Sequence, residues 1–261
     1  MAERMEHGAM PRTVLVTGAG QRIGRAIALG LSLDGWAVAI HYNHSAVAAE
    51  DVAQAIRAVG GTACTLAADL SHEAHVTTLV PRAVEALGPL GCLINNASLF
   101  EDDTVHTATR ESWDAHIGIN LRTPFVLIQA FARQLPTGMV GVVLNLIDQR
   151  VWNLTPHFIS YTVSKAGLWS LTRTLALALA PRIRVNAIGP GPTLPSTRQT
   201  TEQFAHQCRS MPLHRGTTPE EIAAAVRFII GAPAMTGQMI VLDGGQHLGW
   251  AQPHGDNPPE E

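Results

Sequence analysis

The feature that most constrains this chain is a glycine-rich turn set between a β-branched run and an amphipathic stretch. Thr13-Val14-Leu15-Val16-Thr17 has the composition of a buried strand. Thr17-Gly18-Ala19-Gly20-Gln21-Arg22-Ile23-Gly24 follows it directly. Ile23, Ile27 and Leu31 then recur every four residues, one stripe of a helix that stops before Gly35. Gly18 lets the chain turn sharply, and Gly24 lets the helix start pack close to the strand. The free N–H groups and positive dipole end of that helix then face outward, ready for a pyrophosphate. In this strand–turn–helix setting, glycines that would be weak evidence alone predict dinucleotide binding.

The rest of the chain alternates in the same way. Strands are expected at 37–41, 62–67, 92–95, 140–146, 183–188 and 239–242. Helices are expected at 46–59, 72–87, 157–179 and 219–230, with one or two more over 110–135 and Pro124 near a start or kink. Residues 193–213 have weak periodicity and read as an excursion over a ligand site. Repeated βα units imply right-handed crossovers. The expected class is α/β: a single-domain Rossmann fold, a doubly wound, mostly parallel seven-stranded sheet with helices on both faces. The 261 residues fit one such domain at 12–248, after a flexible segment 1–11 and before a loose tail 249–261. Apolar residues, 46% of the chain, suffice to bury a sheet on both faces.

Composition narrows the partners. A net charge of -3 gives no reason to expect nucleic acid or an anionic membrane surface. The stretch 166–180 is too short and, with Arg173, too interrupted to span a bilayer. Cys64, Cys92 and Cys208 are odd in number and lack metal-ligand spacing, so reduced thiols in a cytoplasmic protein are expected. Twelve scattered histidines without an HExxH pattern predict no metal.

The second strand bears on the choice of cofactor. An acid at its end would bond a ribose 2′-hydroxyl, but here the chain reads His41-Tyr42-Asn43-His44-Ser45, with no acid before Glu50. Arg22 can reach the same region. A guanidinium, a hydroxyl and an imidazole suit a 2′-phosphate, so NADPH is the expected cofactor.

Tyr161 and Lys165, four apart on an expected helix, share a face with a rise of about 6 Å between them. A nearby ammonium stabilises a phenolate, which predicts a lowered Tyr161 pKa and proton exchange near neutrality. The pair alone is common on helices; with the upstream glycine turn it points to hydride-transfer chemistry.

The chain resembles the short-chain dehydrogenase/reductase family over residues 12–248. Thr17-Gly18…Gly24, Asp69-Leu70, Asn95-Asn96-Ala97, Asn120, Tyr161-x-x-x-Lys165 and Pro190-Gly191 carry the resemblance. It implies that Asp69 and Leu70 border the adenine, and that Asn95, Asn96 and Ala97 hold the cofactor beside the fourth strand. It also implies that Lys165 binds the nicotinamide ribose, and that Asn120 helps hold a proton-relaying water. The cofactor set so expected also includes Gly18, Ile23, Gly24, Pro190 and Gly191.

Two positions depart from the general family. Arg22 stands where a glycine is usual, and Asp148 replaces a Ser thirteen residues before the Tyr. Both departures, with His41-Tyr42-x-x-Ser45, are similar to the pteridine reductases and dihydromonapterin reductases. That likeness implies a pterin or folate substrate held by Arg22, Ser98, Phe100, Asp148 and Tyr161, with Phe100 stacking on the ring. Reduction of a pterin C=N bond leaves a ring nitrogen needing a proton, which Tyr161 and Asp148 could supply or relay. A carbonyl or 3-oxoacyl thioester reductase is the alternative, and a non-catalytic NADPH-binding sensor the remote one. The resemblance also implies a homotetramer. Helices over 110–135 and 157–179 agree, since they carry apolar positions, including Trp169, beyond what one core face needs.

Overall fold

A computed structural model describes residues 8–196 and 198–249. Seven strands, β1 (Thr13–Val16), β2 (Ala37–Tyr42), β3 (Ala63–Ala67), β4 (Cys92–Asn95), β5 (Gly141–Leu146), β6 (Ile183–Pro190) and β7 (Met239–Leu242), form one sheet in the order β3-β2-β1-β4-β5-β6-β7. Every pairing is parallel, so the expected "mostly parallel" sheet is wholly so.

Alternation along the strands builds two cores. Val14 and Val16 face one side with α1 (Arg22–Leu33), α2 (Ala46–Ala58) and α8 (Pro219–Ile230), while Leu15 faces the other. On that second face lie α3 (Glu73–Leu87), α5 (Thr123–Gln134) and α6 (Ile159–Leu179), whose Leu79, Leu127, Phe131 and Ala176 join Leu15 and Val143. Leaving β3, the chain crosses to the far side of β1 to make β4. The strand order therefore reverses between β1 and β4, and a crevice opens beyond their carboxyl ends, where such sheets hold ligands.

Three local features refine or correct the expectation. The helix expected from 157 starts at Ile159, because Phe158 has φ 56 and a buried ring. The 110–135 stretch is two helices, α4 (Arg110–Ile117) and α5, joined through a π-turn at Gly118–Arg122 that carries Asn120. The 193–213 excursion contains α7 (Thr201–Arg209), started by a Thr200/Gln203 capping box. Of the expected flexible N-terminal segment, residues 1–7 lie outside the described residues, as do 250–261 of the tail; Ala9 accepts a backbone bond from Val140. Among the described residues, no helix is long and apolar enough to cross a membrane.

Candidate active site

The glycine turn is braced from two strands. Thr17 Oγ accepts the N–H groups of Asn96 (2.9 Å) and Ala97 (3.0 Å), and Asn96 Nδ2 donates to the carbonyls of Thr17 (2.8 Å) and Gly18 (3.2 Å). Gly18 has φ +64, a region that favours glycine. A Cβ at Gly24 would lie 2.3 Å from the Gly18 oxygen and 2.6 Å from Asn96 Nδ2. Gly24→Ala must therefore open the turn. The expected result is at least about tenfold weaker NADPH binding with stability lowered by about 1–3 kcal/mol, measured by cofactor fluorescence and urea titration.

His41 corrects the sequence-based expectation. It is 2% exposed; Nδ1 accepts the Gly18 N–H (3.0 Å) and Nε2–H donates to the Ala68 carbonyl (3.0 Å). Burial lowers its pKa, so the ring is neutral and occupied. It props the turn and offers a phosphate nothing. The α1 N-terminus, by contrast, is open: Gln21 makes no side-chain cap and the first turn holds no acid. Arg22, the first residue of α1, has φ 52 and donates to the carbonyls of Leu194 (3.2 Å) and Pro195 (3.1 Å), tying the turn to the excursion after β6.

A cavity of about 500 Å³ lies beside this turn. Arg22, His41, Tyr42, Asn43, His44 and Ser45 line it, together with Asp69, Leu70 and Ala97. The Asp69 carboxylate accepts bonds from Ser71 Oγ (2.7 Å) and the Ser71 N–H (2.9 Å), which hold it below the usual carboxylate range. Asn95 does not face this space. Its Nδ2 donates to Asn145 Oδ1 (2.8 Å), whose own Nδ2 donates to Thr172 Oγ (2.9 Å), so Asn95 is a strut between β4, β5 and α6.

A second cavity, about 250 Å³, adjoins Arg22 and Ser98 and lies over the carboxyl ends of β5 and β6. Ile23, Pro190 and Gly191 line it, as do Phe100, Asp148, Tyr161 and Lys165. Tyr161 OH donates to Asp148 Oδ2 (2.8 Å), while Asp148 Oδ1 caps the following turn through the Arg150 N–H (2.8 Å). Lys165, 2% exposed, donates to the Leu146 carbonyl (2.9 Å), and its ammonium lies 5.7 Å from the Tyr161 ring centroid. The expected activation of the phenol is reversed. Burial first, then the charge and hydrogen bond of Asp148, raise the Tyr161 pKa well above its ordinary value. It is the lysine that is lowered, to about 8, by burial that Asp148 only partly offsets. The group nearest the phenol oxygen is a carboxylate, and like charges do not coexist there.

The side chain of Asn120 is fully engaged. Its Oδ1 accepts the Leu99 N–H (2.8 Å) and Ser98 Oγ–H (3.1 Å); its Nδ2 donates to the Leu99 carbonyl (2.9 Å) and Ser164 Oγ (3.0 Å). It fixes the segment that carries Ser98 and Phe100 and has no side-chain atom left for a water near Lys165. Phe100 borders the cavity, but its ring stacks on Phe158 (4.6 Å, 13°) and meets Tyr161 edge-on (4.6 Å). Arg198 seals this side, donating to the Phe100 carbonyl (3.0 Å) and to Glu101 (3.0 Å).

Sequence reading missed the cluster behind Tyr161. Buried Asp103 accepts the Ser160 N–H (3.0 Å) and its hydroxyl, Ser160 Oγ bonds His116 Nδ1 (2.7 Å), and His116 Nε2 accepts the Glu101 N–H (3.1 Å). The cluster anchors the start of α6 to the Phe100–Glu101 segment. Its members lie far apart in sequence, and only the identity of Ser160 beside Tyr161 hinted at it.

A dinucleotide-type turn, a parallel sheet and a Tyr–Lys helix facing one crevice define an oxidoreductase of Rossmann type. A family model described as enoyl-(acyl carrier protein) reductase matches residues 18–247. The chain belongs to the short-chain dehydrogenase/reductase family. Curated relatives include a 3-oxoacyl-(acyl-carrier-protein) reductase of Synechocystis, 32% identical, covering 90% of this chain and 96% of that one. Among solved structures, FolM alternative dihydrofolate reductase 1 from Brucella canis, complexed with NADP, is 49% identical with TM-score 0.90, covering 92% of this chain and 96% of that one. A blue fluorescent protein from a metagenomic library, in complex with NADPH, is 30% identical with TM-score 0.83, covering 92% and 98%.

Proposed function

We propose that this chain is an NADPH-dependent reductase of a pterin ring, taking a dihydropteridine such as dihydromonapterin, dihydrobiopterin or dihydrofolate to its tetrahydro form. One observation carries the reading: the Tyr161 hydroxyl bonded to the Asp148 carboxylate at the carboxyl edge of the sheet. A ketone reductase uses a neutral hydroxyl at that position to hold a carbonyl oxygen; a carboxyl group bonded to the phenol can take a proton from solvent and pass it on toward a ring nitrogen. The 49% identity to the FolM alternative dihydrofolate reductases of two Brucella species supports it.

The residues fit the cofactor. An uncapped α1 N-terminus over a turn too tight for a side chain at Gly24 suits a pyrophosphate, and a β2 end without an acid suits a 2′-phosphate. Gly18, Gly24 and Ile23 would hold the pyrophosphate side; Arg22, Tyr42, Asn43, His44 and Ser45 the phosphorylated ribose; Asp69, Leu70 and Ala97 the adenine. Lys165, Pro190 and Gly191 would hold the nicotinamide end. Bound NADPH supplies the hydride. Tyr161, kept protonated by its surroundings, gives its proton to the ring nitrogen as Asp148 hands it one taken up from solvent, so no phenolate is left beside a carboxylate. Lys165 balances the charge of Asp148. Ser98 and Phe100 shape the substrate wall.

The test is NADPH oxidation against a panel of dihydropterins, dihydrofolate and an acetoacetyl thioester, repeated with NADH. Turnover of the pterins with NADPH preferred is the expected result. The 3-oxoacyl reductase relatives, 32% identical, favour the second reading; turnover of the thioester alone would establish it.

A further inference from the structure

The cluster of Asp103, Ser160 and His116 has no part in the scheme above, yet it lies directly behind the proton donor. Asp103 is 2% exposed, and Ser160 and His116 are fully buried, so none of the three meets substrate. Each hydrogen in the cluster has a defined place. A backbone N–H only donates, so His116 Nε2, 3.1 Å from the Glu101 nitrogen, accepts and the ring proton sits on Nδ1. That proton is shared between the Ser112 carbonyl (2.9 Å) and Ser160 Oγ (2.7 Å). The Ser160 hydroxyl hydrogen is then left for the Asp103 carboxylate. The bonds run one way, from Glu101 through His116 and Ser160 to Asp103, and they begin and end on one short segment.

That segment does for α6 what α6 does not do for itself. The N-cap residue of α6 is Phe158, left-handed at φ 56 and without a side-chain cap, while the first N–H groups of a helix need acceptors. Asp103 supplies them: its carbonyl accepts the Ile159 N–H (3.3 Å) and its carboxylate the Ser160 N–H (3.0 Å). Tyr161 is the next residue. A second arm closes from the other side, where Asn120 donates to Ser164 Oγ (3.0 Å) and Ser164 Oγ–H to the Tyr161 carbonyl (2.6 Å). Between the two arms the Phe100 ring meets Phe158 and Tyr161, each at 4.6 Å. A buried polar network with its bonds made specifies one arrangement where apolar packing alone tolerates several.

We infer that Asp103, Ser160 and His116 are positioning residues for proton transfer: they clamp the Phe100 wall to the start of α6 and so hold the Tyr161 hydroxyl against Asp148. The inference rests on the reading of Tyr161 as proton donor and deepens it. It does not depend on which substrate atom takes the proton.

Ser160→Ala deletes the hydroxyl that joins His116 to Asp103. His116→Gln keeps an acceptor for the Glu101 N–H and releases Ser160. In the full chain, kcat is measured with NADPH and whichever substrate of the panel above the wild type turns over fastest, per NADPH site titrated by cofactor fluorescence. Each variant is expected to keep its NADPH Kd within about twofold and to lose about tenfold in kcat, inside the roughly hundredfold that a misplacement of 1 Å costs. In a Tyr42→Phe background the phenolate absorbance of Tyr161 is also titrated. Loosening its bond to Asp148 removes part of what holds its pKa up, so the ionisation is expected to move down. Loss of folded molecules alone lowers the number of NADPH sites and leaves both readings per site unchanged. A variant that binds NADPH and keeps kcat per site within about twofold overturns the inference. So does a fall in kcat with a Tyr161 ionisation that does not move down, because the phenol has then stayed in place. If the wild type turns over nothing, or Tyr161→Phe is fully active, the donor assignment falls and this inference falls with it. Turnover of the thioester alone refutes pterin reduction, and the same two variants, assayed on the thioester, still decide the inference.

Discussion

Tyr161→Phe is expected to lower kcat/KM by a factor on the order of 10²–10⁴, the range for loss of a positioned proton donor. The phenol is 5% exposed, donates to Asp148, and is held in its protonated form by burial and by that carboxylate. Removing the oxygen deletes the donor and strips Asp148 Oδ2 of its partner. Asp148→Asn separates charge from geometry, because an amide oxygen can still accept the phenol hydrogen. Its activity is expected to fall while cofactor binding persists. The Tyr161 pKa is also expected to fall, since both contributions of Asp148 push it upward. The chain has two tyrosines, so in a Tyr42→Phe background the ultraviolet titration of phenolate reports Tyr161 alone. A Tyr161 ionisation that does not move in Asp148→Asn, or full pterin turnover by Tyr161→Phe, would falsify this assignment.

Lys165→Met is expected to abolish measurable turnover without lowering Tm. Lys165 is the only lysine in the chain. Its ammonium is buried against the Leu146 carbonyl, and its pKa falls from 10.5 to about 8. A shift of this size corresponds to about 3 kcal/mol against the charged form, so the native state carries a cost that methionine does not. The sign follows from proton counting. Between pH 8 and 10.5 the unfolded lysine holds its proton and the folded one releases it. The unfolded state then binds more protons, and stability from this group rises with pH across that window. Activity that needs the ammonium runs the other way, falling with a midpoint near pH 8. Urea titrations and rates over pH 7–10.5 on wild type and variant read both. A Tm drop of several degrees in Lys165→Met would show that the Leu146 bond outweighs the burial cost.

Much of this site was legible in the chain because its parts are local. Ile23, Ile27 and Leu31 mark α1, and the β-branched runs mark the strands, since burial on both faces selects the same apolar residue types wherever a parallel strand lies. The spacing from Tyr161 to Lys165 fixes one helix face irrespective of what packs on it. What could not be read concerns partners brought together from distant segments. His41 looked like a phosphate ligand from its place at the end of β2; in the fold both ring nitrogens are consumed by Gly18 and Ala68. Asn95 and Asn120 looked like cofactor and water contacts; one is tied to Asn145 and the other to Leu99 and Ser164.

The sequence by itself determined the order of βα units, the glycine turn and the shared helix face of Tyr161 and Lys165, because periodicity and glycine placement act within a few residues. Only the tertiary structure decided which ionisable group is perturbed and in which direction. That depends on burial and on the carboxylate thirteen positions away that folding sets 2.8 Å from the phenol, distances no linear spacing contains.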